Sequence, residues 1–200
     1  TLKNYGLVFP TKEDTPLTIT DLNEARTSYM LSKIYGESMC INSMLPITII
    51  RPHNFYGPRM GLSHVIPEIM KKAIESKNTK IDVFSVDHRR TFCFIDDAVT
   101  AIQKLAESKK SIGQVYNIGD DEEEVNMGGL SKKIIKIIGR ELIINPLPAT
   151  PGSPERRCPD ISKLRDDTNY VKEFPLESGL KQTFRWYNKF VFSGKEESAV

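Results

Sequence analysis

The chain is poor in the features that would settle its class at once. It holds three cysteines among 200 residues, Cys40, Cys93 and Cys158, scattered and odd in number. That argues against a disulfide scaffold, and no Cys or His spacing suits a zinc site, so no metal is expected. Scattered free thiols suit a reducing, cytoplasmic setting. No apolar run approaches the roughly 20 residues that a membrane helix needs, and no membrane contact is expected. The formal net charge is only +2. Such a balance provides no one-signed field to hold a nucleic acid or a lipid surface. Neither Gly-x-Gly-x-x-Gly nor Gly-x-x-Gly-x-x-Gly occurs, so a glycine-rich turn for a dinucleotide pyrophosphate is missing from this stretch. The first residue is Thr1 rather than Met.

What is present reads as a globular α/β chain, 39% hydrophobic and 27% charged. Residues 7–24 read as a loop. Asn23 to Met44 is expected to be helical, with Ala25, Met30, Ile34 and Ile41 on an apolar stripe. Ile47 to Ile50 is a β-branched apolar run of buried parallel-strand type. Helix then strand is half of a βαβ crossover. Further helices are expected at Val65–Glu75, from an Asp96 or Asp97 cap to Ser108, from Gly128-Gly129 through Ile138, and over Ile161–Leu164 and Ser178–Phe190. Strands are expected at Lys80–Phe84, Thr91–Ile95, Val115–Ile118 and Glu141–Ile144. Residues 145–159, with five prolines, read as a loop, and Asp120 to Glu124 as a solvated acidic turn. The tail from Ser193 is polar.

Within the first helix Tyr29 and Lys33 are four residues apart, in Ser28-Tyr29-Met30-Leu31-Ser32-Lys33-Ile34-Tyr35-Gly36-Glu37. That spacing puts both on one helix face. An ammonium near a phenol favours the phenolate, and a phenol so tuned can exchange a proton with a sugar hydroxyl. Two more segments follow in order: Arg51-Pro52-His53-Asn54-Phe55-Tyr56-Gly57-Pro58-Arg59, then Arg89-Arg90-Thr91-Phe92-Cys93-Phe94-Ile95-Asp96-Asp97. After them come Val115-Tyr116-Asn117-Ile118-Gly119 and Arg156-Arg157-Cys158-Pro159-Asp160.

This ordered set resembles the extended short-chain dehydrogenase/reductase family, in particular its nucleotide-sugar epimerases, dehydratases and decarboxylases. The resemblance covers nearly the whole chain. It implies an α/β fold: the C-terminal part of a doubly wound Rossmann-type domain, with a smaller α/β substrate-binding domain. Residues 1–60 would be a partial NAD-binding domain carrying the Tyr-x-x-x-Lys helix. Residues 61–192 would mainly bind the nucleotide sugar, with segments about 91–119 returning to the Rossmann sheet, and 193–200 would be a tail. The chain is then expected to be the C-terminal part of a longer protein; a circularly permuted or short protein is the alternative.

The resemblance also implies roles. Thr1, Tyr29 and Lys33 would be catalytic, with Thr1 relaying a proton and Lys33 bonding the nicotinamide ribose. The Pro52-His53 backbone would lie beside the nicotinamide, the His53 side chain being read as a loop histidine rather than an acid or base. Asn54 would contact the nucleotide sugar, and the His64-Val65 backbone its diphosphate, at a helix N-terminus that suits an anion. Asp82 and Phe84 would flank the base, and Arg90 and Arg157 would clamp the pyrophosphate, with Arg89 and Arg156 leaving the register open. Leu2-Lys3 replaces the Asp-Glu pair of the 4,6-dehydratases and, at Lys3, the Glu of UDP-glucuronate decarboxylases. The expected activity is therefore NAD-dependent 4-epimerisation of a nucleotide-diphosphate sugar. A decarboxylase or 4-keto reductase is the rival within the family, and a non-catalytic binding fragment the rival outside it. NADP stays open beside NAD. A homodimer through the Tyr29–Lys33 helix is expected, because Tyr35, Met39 and Ile41 add apolar surface beyond one stripe.

Overall fold

The computed structural model describes residues 8–18, 21–23, 27–150 and 152–193. The chain is mixed α/β, and its strand pairs are mostly parallel. Helix α1 (Thr27–Ile41) leads into β1 (Ile49–Pro52), which pairs in parallel with β6 (Val115–Ile118). The short β2 (Phe55–Tyr56) pairs in parallel with β5 (Cys93–Phe94). Strand β3 (Lys80–Phe84) pairs in parallel with β8 (Ile143–Leu147), residue for residue along its whole length. A mixed sheet sets β4 (Arg89–Arg90) between β7 (Val125–Asn126), antiparallel, and β9 (Arg156–Arg157), parallel.

Two apolar clusters hold these pairs. In the larger, α2 (Val65–Glu75), α4 (Met127–Ile138) and α6 (Leu176–Tyr187) pack with the inner face of β3. Ile66, Met70, Ile81, Val83, Leu130, Ile134 and Leu180 are all buried there. Burying each such side chain is worth about 1.5–3 kcal/mol. The approach of α6 is close. A Cβ on Gly179 would lie 2.1 Å from the Tyr56 hydroxyl and 2.8 Å from the Phe94 ring. The Tyr56 hydroxyl donates to Leu176 O at 3.1 Å, so it closes the same joint with a hydrogen bond. In the smaller cluster α3 (Ile95–Glu107) and α5 (Ser162–Thr168) cover β6, through Ala98, Ala101, Leu105, Ile118, Ile161 and Leu164.

Several expected boundaries move. α1 ends at Ile41 rather than Met44, whose φ of 57° is left-handed. Ile41 is exposed and so not on a covered stripe. The loop expected over 145–159 holds two strands, because β8 runs on to Leu147 in register with β3 and Arg156–Arg157 adds β9 to β4. β8 starts at Ile143 rather than Glu141, and the strand expected over Thr91–Ile95 shrinks to β5. Asp97 does not cap α3 but lies in its first turn, and its carboxylate accepts from the amides of Glu173 and Phe174. Asn126 caps α4, accepting from Gly129 N at 2.6 Å, so the glycine pair lies inside the first turn. The last helix runs from Leu176 to Tyr187 and continues as a π turn over Asn188–Phe192.

The acidic run is the largest correction. Asp120 to Glu124 is a hub of ion pairs, not a solvated turn. Asp120 is buried and meets Lys172 at 2.5 Å. Asp121 and Glu122 share Arg165, Glu123 meets Lys133, and Glu124 meets both Arg89 and Arg156. Buried carboxylates persist only when paired, and here each cation comes from a different stretch of chain.

Candidate functional site

Thr1 lies outside the described residues. On α1 the Lys33 ammonium is 5.3 Å from the centroid of the Tyr29 ring, so helical spacing brings ammonium and phenol side together. Tyr29 is 64% exposed, and among the described residues of α1 only Thr27 is buried. Little apolar contact therefore fixes this helix. What anchors it is Glu37, one turn beyond Lys33. The Arg51 guanidinium of β1 donates to Glu37 through Nε at 3.1 Å and Nη2 at 2.5 Å, and through Nη1 to Glu13 O at 2.8 Å. The Glu13 carboxylate in turn accepts from Asn117 N of β6 at 2.8 Å. Glu37, the last residue of the Tyr-x-x-x-Lys segment, thus joins α1 to the sheet.

Pro52, His53 and Asn54 stand at the carboxyl end of the β1–β6 pair, the end at which open parallel sheets take ligands. Asn117 donates both amide hydrogens, to Thr11 O at 3.0 Å and Asp160 O at 3.1 Å. Its Oδ1 faces His53 Nε2 at 3.1 Å, so the hydrogen of that contact belongs to the imidazole. Burial lowers the His53 pKa, the Asn117 bond raises it, and the charges of Arg157 and Arg51 lower it again. Burial thus favours the neutral ring. Gly119 makes room for it: a Cβ there would lie 2.7 Å from Pro159 and 3.1 Å from His53. Asn54 has a φ of 46°, a conformation Asn tolerates better than most residues, and its amide donates to Thr91 O at 2.9 Å.

Alternation along β4 and β9 separates the four arginines. Arg89 and Arg156 are register partners, and both reach Glu124. Arg90 and Arg157 are the next register pair, and Arg90 is buried. The Arg90 pKa falls to about 10, first through burial and then through the like charge of Arg157. Its guanidinium donates to Arg89 O, Ser153 Oγ and Pro154 O. Thr91 N donates to Arg157 O, so Asn54, Thr91, Arg90 and Arg157 form one neighbourhood, within whose field His53 also lies. Buried Thr91 Oγ1 and His88 Nδ1 have no partner among the described residues. The sequence reading singled out neither of them, nor Asn117 or Glu124; no local spacing marks such residues, because their partners are far along the chain.

Asp82 and Phe84 lie on the open face of β3, alternating with buried Ile81 and Val83. Asp82 Oδ1 accepts from Asn145 Nδ2 across the strand pair at 2.6 Å. His64 and Val65 open α2, and Lys72 of that helix reaches Asp82 O at 3.5 Å. At the carboxyl end of the β3–β8 pair lies a cavity of about 380 Å³, lined by residues that include Ser85, His88, Leu147 and Glu155. No group of three or more His, Cys, Asp or Glu suited to a metal occurs among the described residues.

The sequence model of the NAD dependent epimerase/dehydratase family matches residues 1–119. A UDP-N-acetyl-alpha-D-glucosaminuronate decarboxylase from Bacillus cytotoxicus is 26% identical over 197 residues, 90% of this chain and 59% of that protein. A dTDP-4-dehydro-6-deoxy-D-allose reductase from a Streptomyces species is 29% identical over 168 residues, 80% of this chain and 50% of that protein. The crystal structure of the UDP-glucuronic acid 4-epimerase from Bacillus cereus, with UDP-glucuronic acid and NAD, superposes with a TM-score of 0.78 at 27% identity. That likeness covers 94% of this chain and 58% of the epimerase. The chain thus spans between half and three fifths of the length of these relatives. With more than half of its residues matched, and a fold shared with a solved epimerase, the chain belongs to the NAD dependent epimerase/dehydratase family of enzymes.

Proposed function

We propose that this chain is part of an NAD-dependent nucleotide-sugar epimerase acting at C4 of the sugar. The observation that carries the reading is the pairing of Arg90 with Arg157 in register on adjacent parallel strands. Arg90 is buried and Arg157 half-buried, and two guanidinium forks side by side match the paired oxygens of a diphosphate. The amides at the start of α2, by His64 and Val65, would add to the same field. Asn54 would then meet the sugar and the open face of β3 the base.

In this reading Tyr29 takes the proton of the C4 hydroxyl, and Lys33 holds the phenol and the cofactor ribose. NAD, when bound, would supply hydride acceptor and donor chemistry at C4, and inversion requires that the hydride come back on the opposite face of the sugar carbon. His53 and Pro52 bound the nicotinamide side, His53 as a neutral wall and not as a base. Likeness to the 4-epimerase from Bacillus cereus supports the reaction class. A decarboxylase is the second reading, favoured by the Bacillus cytotoxicus relative and by Arg157-Cys158-Pro159-Asp160, which resembles the Arg-x-Pro-Asp of UDP-glucuronate decarboxylases, and opposed by Lys3. Three free cysteines, two of them buried, support a cytoplasmic setting.

The test is incubation of the full-length protein with NAD⁺ and a panel of UDP-, dTDP- and GDP-sugars, read by NMR. The expected result is a C4 epimer with no net NADH. Loss of carbon dioxide would move the assignment to the decarboxylases, and stoichiometric use of reduced cofactor to the reductases. Tyr29→Phe should lower kcat by about 10² to 10⁴ and leave nucleotide-sugar affinity within a few-fold.

A further inference from the structure

Residues 11–15 lie in the stretch that reads as a loop, yet they alternate half-buried and exposed, the period of a strand. Thr11 forms a parallel bridge with Pro159. Its N–H donates to Cys158 O at 2.8 Å, and its carbonyl accepts from Asp160 N at 2.8 Å. Asn117 of β6 ties the bridge from the side, donating to Thr11 O at 3.0 Å and Asp160 O at 3.1 Å. Two residues on, the half-buried Glu13 turns the same way as Thr11. Its carboxylate accepts from Asn117 N at 2.8 Å, and its carbonyl accepts from Arg51 Nη1 at 2.8 Å. Arg51 gives its other nitrogens to Glu37 of α1. Cys158 directly follows Arg157 in the chain. Residues 11–13 thus form a strap from the diphosphate side of the site to the helix that carries Tyr29 and Lys33.

We infer that Glu13 is a positioning residue for proton transfer: it sets Arg51, and through Arg51 and Glu37 the place of Tyr29 and Lys33 relative to the sheet. This rests on the reading of Tyr29 as the group that takes the sugar proton. A free arginine side chain swings on its long stem. Held at Nη1 by a carbonyl and at Nε and Nη2 by a carboxylate, the Arg51 guanidinium has its plane fixed. The Glu13 carbonyl, however, is only as fixed as its strap. At this point the strap is fastened by the Glu13 carboxylate on a backbone amide of β6, a charge-assisted bond. Glu13 therefore binds β6 by its side chain and an arginine of β1 by its main chain, and α1 is referred to both strands. The residue type suits the place. Asp is one methylene too short for the same reach, whereas Gln keeps the acceptor and loses only the charge. The far end of the strap has its own ties, because the Asn117 side chain holds Thr11 O and Asp160 O whatever stands at position 13. Loss of the Glu13 side chain should thus be felt at α1 more than at Arg157.

The experiment compares Glu13→Ala, Glu13→Gln and Glu13→Asp in the full-length protein, by steady-state kinetics on the nucleotide sugar that the NMR panel identifies. Glu13→Ala should lower kcat about tenfold to a hundredfold, the cost of a misplacement on the order of 1 Å. Affinity for the free nucleoside diphosphate, read by calorimetry, should stay within a few-fold. Glu13→Gln should restore most of kcat, and Glu13→Asp should not. Added to Arg51→Ala, Glu13→Ala should cost no further kcat, since it acts through that arginine. Amide hydrogen exchange should quicken in α1 and stay unchanged in β3 and β8. Additive losses in the double variant, a Gln variant no better than Ala, or unchanged exchange in α1 would overturn the inference. Should far-UV circular dichroism show that Glu13→Ala does not fold, the contrast of Gln with Asp decides in its place. Tyr29→Phe separates the inference from the reading beneath it. A Tyr29→Phe protein that keeps its kcat removes that reading, and the inference with it. One that loses kcat while Glu13→Ala keeps it removes the inference alone.

Discussion

At the scale of the residue, Arg90 is the most loaded side chain of the site. It is buried, faces a like charge at Arg157, and spends its donors on Arg89 O, Ser153 Oγ and Pro154 O. A bound diphosphate would draw on the same donors. Its contacts are similar in the ground and transition states, so Arg90→Ala should raise KM more than it lowers kcat. A hydrogen bond to a charged group is worth about 1.5–3 kcal/mol, which corresponds to about tenfold or more in affinity for the free nucleoside diphosphate. Titration of that diphosphate checks it; unchanged affinity would make Arg90 a brace for the loop at Ser153 and nothing more. The sequence held the Tyr29–Lys33 spacing openly, because one turn of helix brings the two together. It held the arginines only as an ambiguous pair of doublets. What separates them is the alternation of β4 and β9 and the carboxylate of Glu124, and that partner lies far from both doublets along the chain.

At the scale of the element, α1 matters because so little holds it. Its described residues bury only Thr27, and the fork between Glu37 and Arg51 ties it to β1. Tyr29 and Lys33 ride on that joint. Arg51→Ala should lower kcat about tenfold to a hundredfold with KM for the nucleotide sugar nearly unchanged, since misplacement by about 1 Å costs on that order. Arg51→Lys should restore part of the loss, because an ammonium keeps the charge and not the fork. Steady-state kinetics on the full-length protein decide it: equal effects on kcat and KM, or no rescue by Lys, would reduce the pair to general stabilisation. Helices with an apolar stripe, such as α2 and α4, were legible almost to the residue, from Val65–Glu75 and to the Gly139 stop. Short strands were not. β4, β7 and β9 are two residues each and owe their existence to their partners, so neither propensity nor alternation could announce them.

At the scale of the whole molecule, the apolar surface is unevenly distributed. The larger cluster is closed by α2, α4 and α6, whereas Tyr35 and Met39, one turn apart on one face of α1, are each more than half exposed. Such a face needs a cover. A second copy of the chain is the proposed cover. The full-length protein should be a dimer at micromolar concentration in light scattering, and Met39→Glu should shift it toward monomer. A wild-type monomer would remove the proposal, and a dimer indifferent to Met39→Glu would place the interface on another face. The α/β class and the parallel character of the sheets were readable from the alternation of helical and β-branched segments. The run Asp120 to Glu124 was not, because five consecutive acids look the same whether water or five cations surround them.

The pairing of strands has a consequence for how the chain is made. The nearest registered partners in sequence, Arg90 and Val125, still have the whole of α3 and β6 between them, and the other pairs are more distant. Among the described residues no strand pairs with its immediate successor through a tight turn. During synthesis β1 therefore leaves the ribosome well before β6 exists, and β3 well before β8. At about 5–20 residues per second each waits on the order of several seconds for the partner it has here. Over that interval the edge that will meet β6 or β8 is unpaired, and an unpaired strand edge is a template for pairing with another chain.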